Sequence, residues 1–147
     1  MKLMPRSARF AVMAALDVSL HARGRPVSSR ELAARHELPP RRLETLLQAL
    51  VRAGILKSVR GPAGGYELAR ERRRLCVGEI VRVALGAEAE EGPSGQELLA
   101  AVLDPLIAEA EEKALARLDE ITLEDLYLRA VALGFGEKPG SGGSFDI

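Results

Sequence analysis

The sequence predicts a mainly α-helical protein with one small β-hairpin, and three observations support this. Apolar residues recur at three- and four-residue spacing through several segments on both sides of the middle of the chain. The stretch Leu50 to Arg70 (LVRAGILKSVRGPAGGYELAR) reads as a helix end, a strand, a glycine-rich turn and a returning strand. Charge is segregated: residues 1–74 hold 16 Lys/Arg against 6 Asp/Glu, and residues 75–147 hold 5 against 15, a net +10 beside a net −10. A basic half beside an acidic half points to a polyanion for one and to something else for the other.

The elements follow in order. Arg6 to His21 is predicted helical, with Phe10, Val12, Met13, Leu16, Val18 and Leu20 on a well-buried face, and Gly24-Arg25-Pro26 ends it. Ser28-x-x-Glu31 is a capping box, in which the two side chains satisfy each other's end amides; it opens a helix to about His36 with Leu32 and Ala33 inward. Leu38 and Pro39-Pro40 form a turn. A third helix runs from Pro40 to about Ala53 on the stripe Leu43, Leu46, Leu47, Leu50 and Val51. Gly54 closes that helix, Ile55, Leu56 and Val59 anchor the hairpin, and Gly61, Gly64 and Gly65 shape its tip.

Beyond the hairpin, Leu75 to Val77 is predicted to extend the second strand and Gly78 to Leu85 to form a short helix. Residues 86–95 read as an acidic loop. Ser94-x-x-Glu97 repeats the capping pattern and starts a helix with Leu98, Leu99, Val102 and Leu103, which Asp104-Pro105 either kinks or replaces with a new helix. The stripe Leu106, Ile107, Ala110, Ala114, Leu115 and Leu118 continues for about four turns. Thr122 can cap a last helix, Leu123 to Leu133, and the glycine-rich residues 134–147 are expected to be a flexible tail. The organisation is therefore 1–85, a winged helix-turn-helix; 86–95, a loop; 96–133, a helical dimerisation region; and 134–147, the tail.

Two helices, a turn and a basic hairpin form a winged helix-turn-helix, which reads duplex DNA with one helix and one hairpin. The outer face of the third helix carries Arg41, Arg42, Glu44, Thr45 and Gln48, residue types that reach base edges. The expected DNA-binding set adds Arg6, Arg9, the helix starts Ser28 and Pro40, Lys57, and the hairpin tip Arg60, Gly61, Gly64 and Gly65. Arg23, Arg25 and Arg35 are expected to neutralise phosphates. Symmetric half-sites call for a two-fold dimer, for which the candidates are Leu99, Val102, Leu103, Leu106, Ile107, Ala110, Ala114 and Leu118.

Other classes find little support. No apolar run reaches the ~20 residues of a membrane span, and a cytoplasmic location is expected. With three Phe, two Tyr and no Trp, few aromatics are available to stack single-stranded bases. No Ser/His/Asp or Cys/His set suggests an enzyme, and the glycine turn lacks a phosphate-loop Gly-Lys-Ser/Thr ending. His21 and His36 have no Cys/His companions for zinc, and Cys76 is expected as a buried hydrophobe on the extended second strand.

The chain resembles the Rrf2 family of bacterial winged-helix regulators, most closely its iron–sulfur cluster regulator branch. The matching pieces are MKLMPRSARFAVMAALDVSL, PVSSRELAARHELPPRRLETLLQALVRAG, ILKSVRGPAGGYELAR, VGEIV and ITLEDL, which span residue 1 to about 130. The resemblance implies that Arg60 enters the minor groove and that Glu44 tunes base choice. At Arg41 and Arg42 many relatives carry a serine and a tyrosine. Cluster-binding relatives place three cysteines where this chain reads GAEAEEGPSGQELLAAVLD, so no cofactor is expected. The expected protein is a homodimeric regulator, a repressor, on a pseudo-palindromic operator, with a protein or a small molecule in the dimer groove as candidate effector. The alternative is a protein–protein adaptor on the same fold.

Overall fold

The computed structural model describes residues 4–22, 24–87 and 97–136. The elements are α1 (Arg6–His21), α2 (Ser29–His36), α3 (Pro40–Arg52), β1 (Leu56–Val59), β2 (Gly65–Leu68), α4 (Val77–Ala87), α5 (Glu97–Val102), α6 (Asp104–Asp119) and α7 (Leu123–Ala132). A mainly helical fold with an antiparallel hairpin is what the sequence predicts. The hairpin pairs Leu56 with Leu68 and Val59 with Gly65.

Local chemistry sets the boundaries. Ser28 Oγ accepts from Glu31 N at 3.1 Å while the Glu31 carboxylate faces Ser28 N, so the capping box is formed. A second box at Thr122 and Asp125 starts α7. α2 ends on Glu37, whose φ of 53° lies in the left-handed region and turns the chain toward Pro39 and α3. Asp104-Pro105 starts a helix instead of bending one: proline fits the first turn, where its missing N–H costs nothing, and α5 stops at Val102.

The core is aliphatic. Ala8, Ala11, Ala15 and Val18 of α1 meet Leu32 of α2, Leu43, Leu47 and Leu50 of α3, and Ile80, Val81 and Ala84 of α4, all 0–1 % exposed. Leu123 at the start of α7 is also fully buried in this cluster. Small alanines on α1 let neighbouring backbones approach closely, so truncating a leucine opposite them, such as Leu47→Ala, would open a cavity costing about 2–5 kcal/mol.

Leu75 to Val77 does not extend the second strand. β2 stops at Leu68, residues 72–74 make a single 3-10 turn, Cys76 pairs only with Thr122 in an isolated bridge, and Val77 begins α4. Both apolar ends of this stretch are buried because Leu75 O accepts from Leu123 N and Val77 N donates to Ile121 O, each at 2.8 Å. Cys76 is accordingly half-buried, with Sγ 3.8 Å from Asp119 Oδ1, rather than a core hydrophobe on a strand. Arg82 of α4 takes the same Asp119 carboxylate bidentately and ties α6 to α4. The residue 86 end of the expected loop belongs to α4; residues 88–96, Ser94 included, and 137–147 lie outside the described residues.

Candidate nucleic-acid interface

The candidate surface begins where α2 meets the hairpin. Val27, just ahead of the Ser28 cap, exchanges backbone hydrogen bonds with Tyr66 of β2, 3.0 Å and 2.7 Å long. This places the start of α2 and the hairpin side by side. The close approach depends on glycine: a Cβ on Gly65 would lie 2.4 Å from the Val27 carbonyl oxygen, and one on Gly64 would lie 2.2 Å from that of Val59. Gly64 N also donates to Gly61 O at 2.9 Å, closing the tip. Arg60 stands exposed at that tip, without an acidic partner among the described residues.

Helix α3 lies next to it. Leu43, Leu46, Leu47 and Leu50 are buried on one face, which leaves Arg41, Arg42, Glu44, Thr45 and Gln48 exposed on the other. Thr45 Oγ1 donates to the Arg41 carbonyl at 3.1 Å, which fixes its rotamer and leaves oxygen lone pairs outward. Tyr66 of β2 lies within reach of the α3 charge: burial first, and then the negative charge of Glu44, push its phenol up. The sequence reading overlooked Tyr66, whose role depends on an approach between helix and hairpin.

Pairing decides which cations remain available. Arg35 is committed, through Nη2 to Asp17 Oδ1 at 2.8 Å and Nε to Oδ2 at 2.9 Å, and also reaches Glu31. Arg25 lies 3.9 Å from Glu31, and Lys57 3.9 Å from Glu67 on the facing strand. Arg70, Arg72 and Arg73 at the base of the hairpin pair with Glu79, Glu124 and Glu71, and Arg72 also stacks on Tyr127. Arg23 is outside the described residues. By contrast, Arg6, Arg9, Arg30, Arg41, Arg42 and Arg60 are exposed, and no acidic partner is found for them among the described residues. Arg30, in the first turn of α2, was missed by motif reading because nothing in its neighbours marks it. Helix α1 has no side-chain cap and no acidic residue in its first turn, which suits an anion beside Arg6 and Arg9.

Asp17 is the buried charge behind this surface, only 3 % exposed. Burial, the largest single influence, pushes its carboxyl up. Hydrogen bonds from Arg35 and His36, with the charges of Arg35 and His21, outweigh it and hold the carboxyl below the ordinary aspartate range.

The expected dimerisation residues divide between two faces. Leu99, Val102, Leu103 and Leu106 are exposed large hydrophobics, joined by Leu98 at 75 %, which the sequence reading left out. Ala110 and Ala114 are exposed, whereas Ile107 is half-buried and Leu118 packs against the chain's own core. No described helix is long and apolar enough to cross a membrane.

Comparison with known proteins agrees with this geometry. The family model described as "Rrf2: Iron-dependent Transcriptional regulator" matches residues 4–129. The chain is 32% identical over 131 residues to protein rrf2 of Nitratidesulfovibrio vulgaris, covering 86% of this chain and 87% of that one. It is 31% identical to the HTH-type transcriptional regulator IscR of Xenorhabdus nematophila, over 90% of this chain and 84% of the relative. Among solved structures, T. potens IscR superposes with a TM-score of 0.66 at 34% identity and 94% coverage of both chains. CymR, the global cysteine regulator of B. subtilis, gives 0.67 at 28% identity, covering 88% of this chain and 98% of that one. Iron is a poor fit as a resident cluster here. The whole sequence has one cysteine, and no group of three His, Cys, Asp or Glu side chains among the described residues could hold a metal. With its hairpin wing, exposed α3 face and family-wide match, the chain belongs to the Rrf2 family and is a DNA-binding transcriptional regulator.

Proposed function

We propose that the protein is a cytoplasmic homodimer that represses transcription from a pseudo-palindromic operator without a metal cluster. The observation that carries the reading is the exposed Arg60 at a glycine-built tip beside the outer face of α3, with its charge uncompensated among the described residues. In this reading α3 enters the major groove, where Arg41, Arg42, Glu44, Thr45 and Gln48 meet base edges, while Arg60 enters the adjacent minor groove. Arg6, Arg9 and Lys57 neutralise phosphates, the helix starts at Ser28 and Pro40 turn the positive ends of α2 and α3 toward the backbone, and Gly61, Gly64 and Gly65 allow the tip to approach. Two protomers place their α3 helices about 34–36 Å apart, one turn of duplex.

The dimer follows from the apolar stripe of α5 and α6. Leu98, Val102 and Leu106 are 75 %, 62 % and 61 % exposed, more apolar surface than a lone small domain ordinarily leaves to water. A second copy of the same stripe covers it by symmetry. An effector, protein or small molecule, would act by changing this pairing.

The test is selection of sheared genomic fragments on the purified protein, followed by footprinting and sedimentation of free and bound protein. Recovery of fragments sharing an inverted repeat, bound by two chains, is the expected result. A protein that retains no duplex at low ionic strength, or that sediments as a monomer both free and bound, would overturn it.

A further inference from the structure

We infer that Asp17 is a positioning residue for DNA reading, and that the cluster around it makes DNA affinity respond to proton concentration through His36. The inference rests on the DNA-binding function and adds a control to it.

The chain has two histidines, and both face the same carboxylate. His36 Nε2 lies 2.6 Å from Asp17 Oδ2, and His21 Nε2 lies 4.0 Å from the same oxygen. Arg35 occupies the carboxylate with a two-pronged contact. Asp17 and His21 belong to α1, and Arg35 and His36 to the last turn of α2, so two helix ends meet on one buried anion. Both rings sit where a helix C-terminus favours a cation. Directly after His36 come the left-handed Glu37, the buried Leu38 and Pro39, and then α3. Fixing the end of α2 therefore fixes where the reading helix starts.

The surrounding charge gives the proton its leverage. Glu31 of α2 reaches Arg35 Nη1 at 3.7 Å, and Arg25 approaches Glu31 from the preceding loop. Among the described residues, no carboxylate of α3, α4, α7 or the hairpin lies within 4.0 Å of either imidazole. With neutral rings, Asp17 and Glu31 balance Arg35 and Arg25. An imidazolium at His36 then adds one uncompensated positive charge just ahead of the start of α3, whereas His21 lies at the end of α1. His36 donates from Nε2 whether neutral or protonated, so protonation keeps the geometry and strengthens the bond to Asp17. A duplex polyanion docked on α3 favours the protonated form, and by linkage affinity rises as pH falls.

The test uses a labelled duplex recovered by the fragment selection above, titrated at constant ionic strength between pH 8 and pH 6. Wild-type affinity is expected to rise about tenfold over that interval, the change that an average uptake of about half a proton produces across two pH units. His36→Gln keeps a neutral donor toward Asp17 but takes no proton, so it should lose most of that slope; His21→Gln should keep it. Equal slopes in wild type and His36→Gln, or a flat wild-type profile, overturn the inference. Proton NMR of the two rings adds a readout on the unaltered chain: the His36 midpoint must move up when duplex is added, and an unmoved midpoint overturns it as well. A wild type that binds no duplex at either pH would instead sink the DNA-binding reading itself.

Discussion

The proposed recognition chemistry rests on single residues that differ in how they can be tested. Arg60 is exposed at the tip and its loss leaves nothing buried unpaired, so Arg60→Ala should leave folding unchanged. It should weaken duplex binding by about 1–3 kcal/mol if the side chain enters a groove. Arg74 is a useful control, being equally exposed but at the hairpin base; Arg74→Ala should bind as wild type. An anisotropy titration at fixed salt that ranked the two variants alike would contradict the assignment. Asp17 acts through the fold instead. Its carboxyl is held low, so it contributes stability that is complete above the unfolded value of about 4 and is lost as pH falls through its lower native value. Wild type should therefore lose stability steeply below about pH 4. Asp17→Asn, which strands the half-buried Arg35, should be destabilised by about 3 kcal/mol near neutral pH and lose stability less steeply in acid. Denaturant midpoints taken from pH 3 to pH 7 decide this, and parallel curves would contradict it.

At the scale of elements, sequence legibility depended on whether the determining chemistry was local. The starts of α2 and α7 were readable because each capping box lies within four consecutive residues, and α3 because Pro40 and a leucine stripe lie on one helix. Ser28→Ala should accordingly cost about 1 kcal/mol in thermal unfolding, and a larger loss of DNA affinity than of stability would show that the cap also aims the hairpin through Val27. The expected strand over Leu75 to Val77 was wrong for the converse reason. A short apolar run looks the same whether it pairs with a strand or docks on a distant turn, and here its partners are Ile121 and Leu123. The Asp17 cluster was hidden likewise, since Arg35 and His36 lie 18 and 19 residues from their anion. Arg41, Arg42, Glu44 and Gln48 were legible as an exposed face, while the ion pairs that withdraw Arg35, Arg70 and Arg72 were not.

For the molecule as a whole, segregated charge and the apolar stripe are parts of one design. Arg6, Arg9, Arg30, Arg41, Arg42 and Arg60, exposed and without an acidic partner among the described residues, lie on α1, α2, α3 and the hairpin tip, whereas α5 and α6 present exposed leucines together with glutamates that a phosphate backbone would repel. If two copies join along α5 and α6, the free cations of both protomers face one duplex and their phosphate contacts add. Affinity for a selected duplex should then fall about a thousandfold or more between roughly 50 and 200 mM salt, because each neutralised phosphate releases counterions. Leu106→Glu places a charge in the centre of the stripe without touching the reading surface. It should yield a folded monomer whose salt dependence has about half the wild-type slope, since one protomer neutralises half as many phosphates. Sedimentation gives the assembly state and anisotropy across a salt series gives the slope. A Leu106→Glu protein that remained dimeric would move the interface off α5 and α6, and a monomer with the full wild-type slope would show that one copy makes all the phosphate contacts.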